Sequence, residues 1–235
     1  MFERVFSEGN LLGHLYRLPD GFAFFGSEHL SKEDLPRFFP SLNFYFLKQV
    51  HGNKVLPVNA SLQEADGHWT TRPNEAPVIQ TADCIPVMIH TPTHLFALHA
   101  GWRGVEQNIL REALKTLSSK DQVTVLLGPH ITKESFEVGA DVAARLLNAD
   151  PKKDLSALLP HSERKKRFVD LEKIVFHQIQ EFLPEFESAV LDINTYTSAD
   201  HPSYRKTGPG AGRLFSFIVR TEHFPNFPSS ETIKA

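Results

Sequence analysis

Three short segments of the 235-residue chain carry metal-binding or nucleophilic side chains beside strand-like runs. Lys48-Gln49-Val50-His51-Gly52 follows one apolar stretch, and Thr81-Ala82-Asp83-Cys84-Ile85-Pro86 follows another. His99-Ala100-Gly101-Trp102-Arg103-Gly104 passes from a third into a glycine-rich turn where a helical pattern begins. A side chain at a strand end can be aimed by a rigid sheet. Cys84 with His51 and His99 makes a sound zinc tripod, because three protein ligands leave the fourth tetrahedral position open, the catalytic arrangement. Zinc so held brings the pKa of bound water to about 7. Spacing supports the tripod weakly, since its members stand 33 and 15 positions apart and match no compact metal motif. His68, His90, His94 and His130 are further candidate ligands nearby.

Other chemistry is open to the same residues. Gly101 and Gly104 permit close backbone approach, the N–H groups of a following helix favour anions, and Arg103 can grip phosphate bidentately. Two His and one Cys also bind copper with a weak axial Met, and Met88 lies four positions after Cys84. A multicopper oxidase needs paired His motifs, however, and the chain has no His-x-His and no His-Cys-His. Without metal, Cys84 as nucleophile and His99 as base describe a cysteine hydrolase. Asp83 reads either as a proton carrier or as the partner that orients a ligand His. Asp66, followed by Gly67, reads as a second proton carrier or as a turn former.

The elements that must position these groups follow from composition and pattern. Hydrophobic residues make up 41% and charged residues 23%, which is ordinary globular usage. Nineteen Phe against two Met point to a core of rigid aromatic packing. A net charge of −3 argues against nucleic acid as a partner. The run Arg164-Lys165-Lys166-Arg167 reads as a solvated loop. One Cys excludes an internal disulfide, no signal peptide is seen and no window approaches a membrane span, so the cytoplasm is the expected location.

Strands are expected at Phe22–Phe25, Phe44–Leu47, Val78–Gln80, Val87–His90, Leu95–His99, Val123–Leu127, Leu191–Tyr196 and Leu214–Val219. Helices are expected over Gly104–Leu117, over Val138–Asn148 and after a cap at Asp170. The segment 224–235 reads as a loosely held tail. Strands and helices do not alternate strictly, which favours an α+β layered domain over a doubly wound sheet.

Five motifs, in order, resemble a known family. Lys48 to Gly52, Glu64-Ala65-Asp66-Gly67 followed by Thr70, Gln80 to Pro86, His99 to Gly104, and Leu127-Gly128-Pro129-His130-Ile131 with Phe136 to Val142 occur as in the laccase-domain proteins. That family was first called multicopper polyphenol oxidase and is now described as purine nucleoside phosphorylase with adenosine deaminase activity; some bacterial members are called peptidoglycan editing factors. The resemblance implies one domain over 1–235, an α+β four-layer α/β/β/α sandwich with mixed sheets. It implies zinc on His51, Cys84 and His99, with small-molecule purine nucleosides and phosphate as partners. The implied reactions are phosphorolysis of adenosine, inosine and methylthioadenosine and hydrolytic deamination of adenosine. Cys84, Asp83, Asp66 and Arg103 are then the catalytic candidates, with an Asp passing protons and Arg103 holding phosphate. Departures fall outside the metal motifs. Gly26-Ser27-Glu28 stands where the family has Ser-Thr-Arg, Asn194-Thr195-Tyr196 where it has Cys-Thr-Tyr, and Ser203-Tyr204-Arg205-Lys206 where it has Ser-Tyr-Arg-Arg. The expectation is an intact metal core with an altered substrate-facing periphery, which also keeps a non-catalytic or cell-wall-precursor editing role open.

Overall fold

Alternation along the strand Gly21–Gly26 sets the layering of the protein. Phe22 and Phe24 enter one apolar cluster and Ala23 and Phe25 another, with all four fully buried. Successive strand side chains point to opposite faces, so this strand must be covered on both. A computed structural model describes residues 1–115, 117, 122–225, 227 and 229–233 and shows how the covering is done.

Seven strands form the first sheet, in the order Ser229–Ile233, Phe2–Ser7, Asn10–Leu18, Gly21–Gly26, Leu214–Arg220, Glu75–Thr81 and Asn43–Tyr45. Six form the second, in the order Glu187–Val190, Thr124–Leu127, Ile85–His90, Leu95–Ala100, Gly67–Thr70 and Val55–Pro57. Both sheets are mixed: Asn43–Tyr45 runs parallel to its neighbour in the first, as do Val55–Pro57 and Glu187–Val190 in the second. Phe25, Ile79 and Ile218 of the first sheet meet Met88, Ala97 and Leu126 of the second in a shared inner core. The second sheet's other face, through Ile85, Val87, Phe96 and Leu98, packs on helices Trp102–Glu106, Ile109–Leu114, Ala140–Ala149 and Leu171–Phe182. Asp170 caps the last of these by accepting from the Lys173 N–H.

This is the expected single α+β domain of mixed sheets, with one outer layer thinner than a full helical layer. The first sheet's outer face is covered by Leu30, the one-turn helix Leu35–Phe38, Phe39 and Leu42. Edge-to-face and stacked Phe rings fill that layer: Phe39 lies 5.0 Å from both Phe24 and Phe217.

Four expectations need correction. The pattern over Gly104–Leu117 is broken at Asn108, whose φ of 60° ends one short helix before the next begins. The strand expected at Leu191–Tyr196 lies earlier, at Glu187–Val190, because pairing with Thr124–Leu127 ends at Val190. Beyond it Asn194, Thr195 and Tyr196 are spent on loop hydrogen bonds instead. Within the segment expected as a loose tail, Ser229–Ile233 instead pairs antiparallel with Phe2–Phe6 and satisfies that strand's outer hydrogen-bonding edge, while residues 226, 228, 234 and 235 lie outside the described residues. Of the basic run, Lys166 and Arg167 belong to a short strand and Lys166 pairs with Glu137 and Glu163. Pattern reading passed over the hairpin Phe2–Ser7 and Asn10–Leu18, turned by Glu8 and Gly9 at φ 53° and 82°.

Three of the buried imidazoles, those of His14, His68 and His201, are held neutral within this frame. Burial pushes His14 and His68 down to about 3 and His201 to about 4. His14 stacks on His201 at 5.5 Å, and His68 Nε2 lies 3.1 Å from the Val78 carbonyl. Each stays neutral in the folded protein while the unfolded chain takes up protons near pH 6.5. The stability this gives is complete above about pH 6.5 and is lost as pH falls towards the folded values. The urea midpoint of unfolding is therefore expected to drop between pH 6.5 and pH 5, and less steeply in His14→Leu. A midpoint unchanged over that interval would show that these imidazoles are not buried neutral.

Candidate metal centre

The face rule that layers the sheets also gathers the candidate ligands. Leu95 and Ala97 point into the inner core, so His99, two further on, points the same way at the strand end. Met88 points inward too, which puts Cys84 on the same face just before its strand begins. These strands pair Ile85 with Ala100 and Pro86 with His99, so Cys84 and His99 emerge side by side. His51 arrives on a loop with φ 60°. The ligand atoms of His51, Cys84 and His99 all lie within 4.8 Å of one another.

One buried carboxylate assembles this cluster. Asp66 is fully buried. Its Oδ1 accepts from the His51 N–H at 2.9 Å and faces His99 Nδ1 at 2.8 Å. Its Oδ2 accepts from the N–H groups of Val50 and Gly52 at 3.1 and 2.7 Å. Burial alone would raise the Asp66 carboxyl, but hydrogen bonds from His99, Gly52 and Val50 hold it below the usual carboxylate range. With Nδ1–H donated to Asp66, His99 presents Nε2 to Cys84 and His51, the carboxylate–histidine pairing common behind metal ligands. Burial would push the Cys84 thiol up, yet the His99 charge and hydrogen bonds from His51 and His99 bring it down to about 6. Burial would lower His99, and the Cys84 charge together with Asp66 raises it to about 9. Thiolate and imidazolium thus stabilise each other.

Two glycines make room. A Cβ on Gly101 would stand 3.0 Å from Cys84 Sγ, 3.5 Å from His51 Cδ2 and 3.7 Å from His99 Cε1, filling the space the three side chains share. A Cβ on Gly104 would stand 2.9 Å from the Gly52 carbonyl oxygen, where the Trp102–Glu106 helix meets the His51 loop. One thiolate and two imidazoles around such a space fit zinc.

The cluster opens into a cavity of about 670 Å³ lined also by Gln49, Gln80, Asp83, Trp102, Arg103, Phe136, Tyr204, Arg205 and Arg213. Gln49 anchors the loop by bonding the Gln80 backbone twice, donating from Nε2 and accepting at Oε1, both at 2.8 Å. Asp83, at φ 90°, accepts from Thr195 Oγ1 at 2.7 Å and from the Arg205 N–H at 2.6 Å, while its carbonyl accepts from the Ile131 N–H. The Arg103 guanidinium lies 4.4 Å from the Trp102 ring centre. It stands on a helix of five residues rather than the long one expected, so little aligned dipole supports it.

The remaining sequence candidates fall elsewhere. Asp66 lies behind His99 and does not line the cavity. His68 faces Val78, His90 pairs with Asp20, His94 meets Thr93 and Trp69, and His130 lies 2.9 Å from the Gly128 carbonyl. Met88 is fully buried in the inner core. The departures at Ser27, Asn194 and Lys206 do not line the cavity either: Ser27 bonds the Leu11 carbonyl and Asn194 bonds Ser135. Residue reasoning missed Gln49, Gln80, Phe136 and Arg213. Gln49, Gln80 and Phe136 lie inside motifs singled out above, but nothing local shows that these side chains or Arg213 reach one cavity, which depends on the packing of the two sheets.

Replacing Asp66 by Asn removes the charge behind His99 and sets an amide against backbone N–H donors. Zinc affinity is expected to fall about ten- to a hundredfold, the usual effect of losing such a partner, as read by competition with a chromophoric chelator. Unaltered affinity would show that Asp66 only holds the loop.

Known proteins resemble this chain in sequence and in fold. A family model described as multi-copper polyphenol oxidoreductase laccase matches residues 35–221. A Haemophilus influenzae protein named purine nucleoside phosphorylase is 37% identical over 116 residues, covering 47% of this chain and 48% of that one. A Clostridium acetobutylicum protein of the same name is 29% identical over 187 residues, covering 74% and 76%. The chain thus spans about half the length of the first relative and about three quarters of the second. The crystal structure of YlmD from Geobacillus stearothermophilus superposes with a TM-score of 0.77 at 18% identity over 94% of this chain and 100% of that one, which establishes the shared fold.

Proposed function

We propose that this chain, which belongs to the multi-copper polyphenol oxidoreductase laccase family, is a zinc-dependent enzyme acting on purine nucleosides. Its reactions are phosphorolysis of adenosine, inosine and methylthioadenosine and hydrolytic deamination of adenosine. The carrying observation is the His51–Cys84–His99 cluster at the floor of a cavity of nucleoside size. The names of the related proteins point to the same substrates.

His51, Cys84 and His99 would hold the zinc, which supplies Lewis acidity at its open position. Arg103, which lines the same cavity as the cluster and whose guanidinium meets the Trp102 ring, receives the phosphate co-substrate. Asp66 is a positioning residue, since all its hydrogen bonds go to His99 and to the loop that carries His51. Asp83 ties Thr195 and Arg205 to the residue next to Cys84, which makes it the brace of the far cavity wall. Both of its oxygens already accept, so a proton-carrying role requires those bonds to loosen. Three aromatic rings line the cavity. Trp102 is faced by Arg103 and Arg145 and Phe136 by Arg205, whereas Tyr204 is half exposed with no ring or cation partner among the described residues. Tyr204 is the ring free to stack on a purine.

Two alternatives bear on the same atoms. Copper redox chemistry gains nothing from Met88, which packs in the inner core away from the cluster. Among the described residues no second group of three or more His, Cys, Asp or Glu side chains converges to make a multicopper centre. A metal-free cysteine hydrolase is favoured by one observation, the line Asp66–His99–Cys84, in which the carboxylate orients the imidazole towards the thiol.

Zinc-loaded protein incubated with adenosine is expected to form adenine only when phosphate is present and inosine in either case, resolved by chromatography. Cys84→Ser is expected to abolish both. Activity that survives complete chelation would transfer the reaction to the cysteine-hydrolase reading, and no product from fully loaded protein would sink the nucleoside reading. Tyr204→Ala is expected to raise KM for adenosine about tenfold, equivalent to a stacking loss of about 1–1.5 kcal/mol. An unchanged KM would place the base elsewhere.

A further inference from the structure

The cavity is lined by more guanidiniums than one inorganic phosphate engages in a single bidentate pair. Arg103, Arg205 and Arg213 all line it, and Asp83 is the one carboxylate that does. Among the described residues, none of the three guanidiniums is paired with a carboxylate. Each is instead fixed by uncharged groups. Arg205 Nη1 donates to the Glu137 carbonyl at 2.8 Å and its guanidinium lies 5.9 Å from the Phe136 ring centre. Arg213 Nη1 donates to the carbonyls of Ala211 and Gly212 at 2.8 and 2.9 Å. Arg103 rests on Trp102. Asp83 brings one negative charge, with both oxygens occupied by Thr195 and by the Arg205 backbone. Glu137, whose carbonyl meets Arg205, pairs through its carboxylate with His161 and Lys166.

An arginine usually finds a carboxylate or phosphate partner where planar bidentate recognition is possible. These three are exposed at one cavity without such a partner, so their donors are open to an anionic ligand. A nucleoside is neutral, and a single inorganic phosphate needs one such fork. We propose that Arg205 and Arg213 form a second anion subsite, distinct from Arg103, that takes a phosphoryl group esterified to the nucleoside. The preferred ligand of this chain is then a purine nucleotide rather than the free nucleoside. This rests on the nucleoside reading of the cavity given above and specifies its substrate class.

The carbonyl contacts explain why the subsite sits ready. They hold one edge of each guanidinium in place while leaving the remaining N–H donors open, so little side-chain entropy remains to be lost on binding. Tyr204 adjoins Arg205 in sequence and lines the same wall, so a base stacked on Tyr204 leaves its ribose phosphate within reach of this subsite.

Calorimetric titration of zinc-loaded protein with adenosine and with adenosine 5′-monophosphate, each in low and high salt, tests the proposal. The monophosphate is expected to bind at least about tenfold more tightly at low salt, with the advantage shrinking as salt rises. The ratio of the two affinities is expected to fall towards one in Arg213→Gln and in Arg205→Gln, with partial recovery in Arg213→Lys. Thermal unfolding of each variant verifies that it folds. Equal affinities for the two ligands, or an advantage that survives both Gln substitutions, would overturn the nucleotide subsite while leaving the nucleoside reading intact. Binding of neither ligand would overturn both.

Discussion

A carboxylate removed from water is costly unless its charge and lone pairs are met, and the candidate centre is organised around one that is. Asp66 is buried between the end of a strand and the loop bearing His51, and it accepts from three consecutive backbone N–H groups and from His99. Those bonds hold His51 in its left-handed conformation and fix the ring orientation of His99. Removing the carboxylate would take the acceptor from three backbone donors at once. The requirement therefore runs both ways: the loop exists in this shape because Asp66 needs it, and Asp66 tolerates burial because the loop supplies its donors.

Around that point the two sheets behave as one rigid mount. Strand alternation sends His99 and Cys84 to the inner face, where the apolar layer that buries Ala97 and Met88 gives way to the cavity. Asp83 then fastens the opposite wall. Its unusual φ turns the carboxylate towards Thr195 and Arg205, so the residue beside Cys84 also holds the segments bearing Tyr204 and Arg205. Strain kept at such a position is ordinary where neighbouring structure fixes it.

Two electrostatic groupings line the cavity. In one, thiolate and imidazolium support each other, and Asp66 supports the imidazole from behind. In the other, arginines are oriented by carbonyls and rings that carry no compensating charge. A donor set that could hold a metal ion and guanidiniums open to anions thus border one cavity.

How much of this the sequence determined by itself depends on the range of the interactions. Strands such as Gly21–Gly26 and Leu214–Arg220 were legible because a short apolar run bounded by turn residues is a local signal, and Asp170 was legible as a cap because it needs only its own helix. The motifs around His51, Cys84 and His99, and the family they resemble, were equally legible, as was the layered α+β class. Other features depended on partners distant in sequence. Ser229–Ile233 is a strand only because Phe2–Ser7 offers it an edge, and Asn108 breaks a helix whose side-chain pattern runs on unbroken. The role of Asp66 could not be read from Asp-Gly, which equally marks a turn; it required the loop fourteen to sixteen positions away to fold back over it. The cavity wall of Gln49, Gln80, Phe136 and Arg213 comes from segments joined only by sheet packing. Residue types and local periodicity thus set which groups were available and which strands formed, and only the closing of one sheet on the other decided which of those groups meet.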